Sequence, residues 1–213
     1  MSLADYQAEG GTLAEIFGRF TGISKMYERL GEFICNYAKV EQACHLMFDQ
    51  MSGLSREVSR AIMGGSTRLA DLVSVLTRIV DLSGIEQERK NEYHICIDHL
   101  NAITKLRHGL IHRGASLAGE EIRSSNELIA RSKDGVEILK LHVDDLKAAA
   151  QDLYYMELRL LYVMYPDLKD RLGAFASKIF GPWQFKPVQP DKPFQLPRKV
   201  RLAKRPRRSA SRP

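Results

Sequence analysis

At 213 residues, 44% hydrophobic and 27% charged, the chain has the composition of a soluble globular protein long enough to bury a sizeable core. No stretch reaches the roughly 18 uncharged apolar residues of a membrane span; Glu157 and Arg159 interrupt the nearest one, LYYMELRLLYVMY, so no membrane association is expected. The net charge of +6 is unevenly placed: residues 186–213 hold ten Lys or Arg and one acid, Asp191, a net of +9, which leaves −3 for the rest.

The opening MSLADYQAEGG lacks a basic region followed by an apolar run, so no secretory signal is expected. Cys35, Cys44 and Cys96 are far apart, form no CxxC pair and are odd in number. They predict no disulfide framework and a reducing, cytoplasmic setting. Each falls in an apolar helical pattern, where a free cysteine packs as a small hydrophobe.

In chain order, residues 1–24 carry several glycines and weak periodicity, and predict a loose arm with one short helix. Leu30, Phe33, Ile34, Tyr37, Cys44, Met47, Phe48 and Met51 then recur at three- and four-residue steps, one apolar stripe on a helix of roughly seven turns. REVSRAIM begins a second helical region, broken at Gly64-Gly65. Ser66 or Thr67 can cap its continuation through Leu69, Leu72, Val73, Leu76, Ile79 and Val80. A third helix is expected from about Glu86 to His112, with Ile95, Ile103, Leu106, Leu110 and Ile111 as its apolar positions and Gly114 as terminator.

The period then changes. NELIARSKDGVEILKLHV reads as two strands around Asp134-Gly135. Asp144 or Asp145 can cap the last long helix, which carries Leu146, Leu153, Leu160, Leu161 and Met164 and ends at Pro166. The fold class expected is mainly α, an antiparallel helical bundle (residues 25–180) with one small β-hairpin inserted before its last long helix. Residues 181–213 form a tail. GPWQFKPVQPDKPFQLP should be extended, and the basic terminal run cannot bury enough apolar surface to fold alone.

The densest chemistry lies in RHGLIH, residues 107–112, at the end of the third helix. Arginine offers a permanently charged fork of donors that matches a phosphate. Histidine exchanges protons near neutral pH. Together they suit RNA transesterification: one group takes the ribose 2′-hydroxyl proton, another protonates the leaving 5′-oxygen, and a cation stabilises charge on the phosphorus oxygens. Neither metal nor cofactor is required. On a regular helix Arg107 and His112 stand about 140° apart, so either the helix distorts at Gly109 or near its end, or two chains share the site. The dimer is the favoured arrangement.

Arg107-His108-x-x-x-His112 resembles the Arg-polar-x-x-x-His signature of the HEPN superfamily, small all-helical domains in which this motif closes a long helix. The resemblance spans about residues 25–165, and its specific part is six residues long. It implies Arg107 and His112 as the catalytic pair, with His108 at the polar position more often held by asparagine or aspartate. It also implies a metal-independent ribonuclease that leaves 2′,3′-cyclic phosphate ends, in a toxin–antitoxin or phage-defence setting, with an antitoxin or regulatory protein as partner. Other members have lost catalysis and serve as binding or adaptor modules for RNA, nucleotide or protein.

Lys105 and Arg113 flank the motif as candidate RNA contacts, as do Lys204, Arg205, Arg207 and Arg208 of the tail through counterion release. Trp183, Phe185 and Phe194 could stack on bases. Competing readings are weaker. Cations at a helix C-terminus gain about 0.3–1 kcal/mol from the helix dipole alone. His94, Cys96, Asp98 and His99 suggest a metal cluster, but His94 and His99 are five apart and point different ways. Gly64-Gly65-Ser66-Thr67 lacks the preceding strand and the lysine of a P-loop.

Overall fold

The computed structural model describes residues 13–63, 68–113, 115–118, 120–125 and 138–187. The chain is mainly helical, in the order α1 (Leu13–Met51), α2 (Arg56–Met63), α3 (Leu69–Leu82), α4 (Gln87–His112), β1 (Ser116–Ala118), β2 (Glu121–Ser125), β3 (Ile138–His142), α5 (Val143–Met164), α6 (Leu168–Leu172) and α7 (Ala176–Ile179). A 3-10 turn, Gly173–Phe175, joins the last two.

The stripe read along α1 is buried where it was expected: Phe33, Tyr37, Cys44, Met47 and Phe48 are in the core, with Val40 and Ala43 completing the seam. Leu30, Ile34 and Met51 pack at its margins. The helix starts earlier than the sequence suggested. It is continuous from Leu13, so residues 13–24 belong to it rather than to a loose arm. α1 lies along α5, and Asn36 Nδ2 donates to Ala150 O at 3.0 Å across that contact. α4 runs antiparallel to α5, as the pairs Glu92–Arg159 and His99–Asp152 show.

Of the apolar residues read on α4, Ile103, Leu106 and Leu110 are buried as expected, but Ile95 and Ile111 are not. Tyr93, Cys96, Ile97, Leu100, Ile103, Leu106 and Leu110 face inward, whereas Ile95 (45% exposed) and Ile111 (43%) face solvent. α3 buries Leu72, Val73, Leu76 and Val80. Its N-cap position is Arg68, without a side-chain cap, and the proposed caps Ser66 and Thr67, like the Gly64-Gly65 break, lie outside the described residues.

The inserted hairpin is a three-stranded antiparallel sheet in the order β1-β2-β3. Ser125 pairs with Ile138 at one end of the β2–β3 ladder and Glu121 with His142 at the other. Ile122 and Ser124 of β2, and Leu139 and Leu141 of β3, point to the core with the period of two that a half-buried strand requires. The Asp134-Gly135 turn lies outside the described residues, as does Gly114.

His142, not Asp144 or Asp145, occupies the N-cap of α5. Its Nδ1 accepts from the Asp144 N–H at 3.2 Å, and Asp145 Oδ2 accepts from the His142 N–H at 2.8 Å, a reciprocal box that satisfies two end donors. Replacing His142 with alanine should lower stability by about 1 kcal/mol, read from the denaturation midpoint.

The cysteines divide. Cys44 and Cys96 are buried, but Cys35 is exposed, contrary to the expectation of packing for all three. Burial, helped by the Glu41 charge, pushes the Cys44 thiol up to about 12. Burial likewise raises Cys96 well above the usual thiol range, against the opposing pull of Arg159. Because the thiolate is the reactive form, a thiol reagent should label one cysteine in the folded chain and the other two only after unfolding.

The first part of the segment read as a tail is docked on the bundle. Phe185 is 2% exposed, and Trp183 packs at the core margin. The Asp152 carboxylate, fully buried on α5, accepts from the backbone N–H groups of Gln184 (2.9 Å) and Phe185 (2.8 Å) and pairs with His99 Nε2 at 2.9 Å. The His99 ring stacks on Trp183 with centroids 4.5 Å apart and planes 2° from parallel. On Trp183 also sits Arg159, its Cζ 4.0 Å from the ring centroid, while its Nε is bound by Glu92 and its Nη1 donates to Gly181 O.

Candidate active site

The last turns of α4 are wedged between α1 and the sheet. Gly109 is buried, and a Cβ there would come within 3.2 Å of Leu139 Cδ2. Its carbonyl accepts from Ser124 Oγ at 2.8 Å and from the Arg113 N–H at 3.2 Å. A side chain at this position would press on the Leu139 methyl, so glycine suits the close approach of the sheet, and the helix passes through it to His112 without a break. Distortion at Gly109, one of the two ways of uniting Arg107 and His112, is absent.

His108 and His112 come together. Four residues apart, they are both exposed on one face, with ring centroids 4.6 Å apart and planes tilted by 46°. Arg107 lies on a neighbouring face, half-buried, with its Cζ 4.8 Å from the centroid of the Tyr37 ring on α1. Tyr37 shares a hydrogen bond of 2.9 Å with Thr104 Oγ1, which donates in turn to Leu100 O. Burial raises the Tyr37 phenol above its ordinary range, and the Thr104 hydrogen bond and the Arg107 charge partly offset that rise. Phenol and guanidinium therefore meet as a neutral ring and a cation, the favourable combination for a cation–π contact. Sequence reasoning missed Tyr37 and Thr104 as supports for Arg107, because nothing in the primary pattern links α1 to that face of α4.

Lys105 is exposed on the same stripe as the two histidines, which runs through Ile95, Asp98, Asn101, Lys105, His108 and His112 at steps of three and four. Arg113 is half-buried directly after the helix. Lys204, Arg205, Arg207 and Arg208 lie outside the described residues, as does Phe194. Trp183 and Phe185 are not available to stack on bases as proposed, since the bundle and Asp152 hold them.

His94 and His99 diverge as their spacing implied. His94 pairs with Asp81 at 2.9 Å on the surface, while His99 turns inward to Asp152. Among the described residues no group of three or more His, Cys, Asp or Glu side chains is arranged to hold a metal, and no helix is long and apolar enough to cross a membrane.

What the arrangement offers chemically is two adjacent proton-exchanging rings in solvent, beside a guanidinium fixed on an aromatic face. No family model, curated protein or solved structure matches the chain.

Proposed function

We propose that the chain is a metal-independent endoribonuclease of HEPN type that works as a homodimer through the end of α4. The observation that carries this reading is the exposed His108–His112 pair, next to Arg107, at the end of an unbroken helix. In the reaction the ribose 2′-oxygen attacks phosphorus and the P–O5′ bond breaks. One imidazole takes the 2′-hydroxyl proton, a second protonates the departing 5′-oxygen, and a guanidinium stabilises charge on the non-bridging oxygens. The products are a 2′,3′-cyclic phosphate and a 5′-hydroxyl.

Arg107 faces Tyr37 and not His112 of its own chain. The two-fold arrangement resolves this, because Arg107 of one protomer then meets the histidines of the other. The basic residues after Phe185 raise the local RNA concentration without selecting sequence. A toxin or phage-defence role, with an antitoxin or regulatory protein controlling the site, follows from the same family resemblance.

The test is incubation of single-stranded RNA with the full chain in EDTA, followed by end-group analysis. Cyclic phosphate ends support the reading. Deleting residues 186–213 should weaken RNA binding while cleavage persists.

One observation favours a second reading. The cation–π contact gives Arg107 a structural use within the protomer, as expected of a non-catalytic binding or adaptor module. That module would bind RNA, nucleotide or protein and cleave nothing under any condition.

A further inference from the structure

We infer that His108 and His112 form a two-nitrogen chelating site for a divalent transition-metal ion of the zinc or copper class. Histidines at i and i+4 on one helix face are the spacing by which a helix presents two imidazoles to one ion. Here the spacing is realised: both rings are exposed on the same face, with centroids 4.6 Å apart. With Zn–N bonds near 2.0–2.1 Å, two imidazoles on one tetrahedral ion place their centroids about 5 Å apart, so a small rotamer adjustment closes the chelate.

The position also suits a cation. The pair occupies the last turns of a 26-residue helix, where the dipole presents its negative end. The donors set the selectivity. Imidazole nitrogen suits zinc, copper and nickel, with copper bound more tightly than zinc, whereas magnesium and calcium seek carboxylate and carbonyl oxygen. Among the described residues the site has no third His, Cys, Asp or Glu ligand, so water or the matching pair of a second copy completes the coordination. Lys105, Arg107 and Arg113 nearby oppose a dication and keep the site weaker than a structural zinc centre, consistent with reversible occupancy.

Ligation uses the same nitrogen lone pairs that proton transfer needs. Resting on the ribonuclease reading, the consequence is that a bound zinc ion silences cleavage, and a chelator restores it. Acidification releases the ion, because protonated imidazole cannot ligate.

The experiment is calorimetric titration of the full, untagged chain with zinc chloride and with copper sulfate at neutral pH, in a Cys35→Ser background that removes the exposed thiol. The inference expects saturable binding of both ions, tighter for copper. Affinity should fall by about tenfold or more in each of His108→Ala and His112→Ala, and remain unchanged in His94→Ala. Far-UV circular dichroism confirms that these surface variants stay folded. Absence of saturable binding, or affinity unchanged in either of the two α4 variants, overturns the site. Heat reports metal binding without reference to RNA, so loss of the ribonuclease reading leaves this result standing, and the reverse holds equally.

Discussion

Replacing Asp152 with alanine is expected to lower the unfolding free energy by about 3–5 kcal/mol, the largest single effect on stability foreseen for this chain. Asp152 is completely buried, and its carboxylate serves two backbone N–H groups and one imidazole. Each group left without its acceptor costs roughly 1–3 kcal/mol, and because they relax together the losses do not simply add. The damage also spreads. Without the anchor, Phe185 leaves a site where it is 2% exposed, and Trp183 loses its place between His99 and Arg159. Trp183 is the chain's single tryptophan, so its emission reports this event alone. A red-shifted emission and a lower denaturation midpoint should appear together in Asp152→Ala. Asp152→Asn, which keeps an acceptor oxygen, should fall between that variant and the parent. An unchanged midpoint with unchanged emission would mean that the segment after Phe180 does not contribute to the fold.

The second large effect concerns chemistry. His112→Ala and Arg107→Ala should each slow RNA cleavage in EDTA by about 10²–10⁴-fold, the usual contribution of a positioned proton-transfer or charge-stabilising group. The two variants differ in what else they change. His112 is exposed, and its loss should leave stability unaltered. Arg107→Ala removes the contact with Tyr37 and should cost about 0.5–1 kcal/mol besides its effect on rate. Arg107→Lys separates the roles further, because lysine keeps the charge over the ring but lacks the planar fork that grips a phosphate. If Arg107 serves only the fold, the variants lose that fraction of a kcal/mol and the rate does not move.

Much of the architecture was legible because burial imposes a period that the order of apolar residues displays, about 3.6 on a helix and two on a strand. The α1 stripe and the inward strand alternation of Leu139 and Leu141 follow from it directly. Ile95 and Ile111 were misassigned because an apolar residue states a preference for burial but not the face on which its neighbours lie; the buried set around Tyr93, Leu100 and Ile103 fixes the phase instead. β1 and β2 were missed because they are short, and because Ser124 is a polar residue pointing inward to satisfy the Gly109 carbonyl. The His142 cap escaped notice because histidine is not among the residues that usually cap helices.

The docking of Trp183 and Phe185 was hidden for a different reason. The prolines around them suggested an extended chain, while the carboxylate that holds them pairs with a histidine 53 residues away. In the site itself, His108 and His112 meet because a four-residue step returns to one helix face, a pairing that the reading of the Arg107–His112 spacing passed over. The placement of Arg107 over Tyr37 depends on a tertiary contact that no local pattern encodes.

Mixing two inactive variants tests the central claim, a ribonuclease site shared between chains, most directly. Arg107→Ala and His112→Ala proteins are co-expressed, and cleavage of RNA in EDTA is compared with each variant alone. If the site takes Arg107 from one protomer and His112 from the other, half of the dimers formed are mixed, and each carries one intact site of two. Cleavage should then return to about one quarter of the parent rate. A mixture as inactive as its components, or single variants that cleave as fast as the parent, would contradict the shared site.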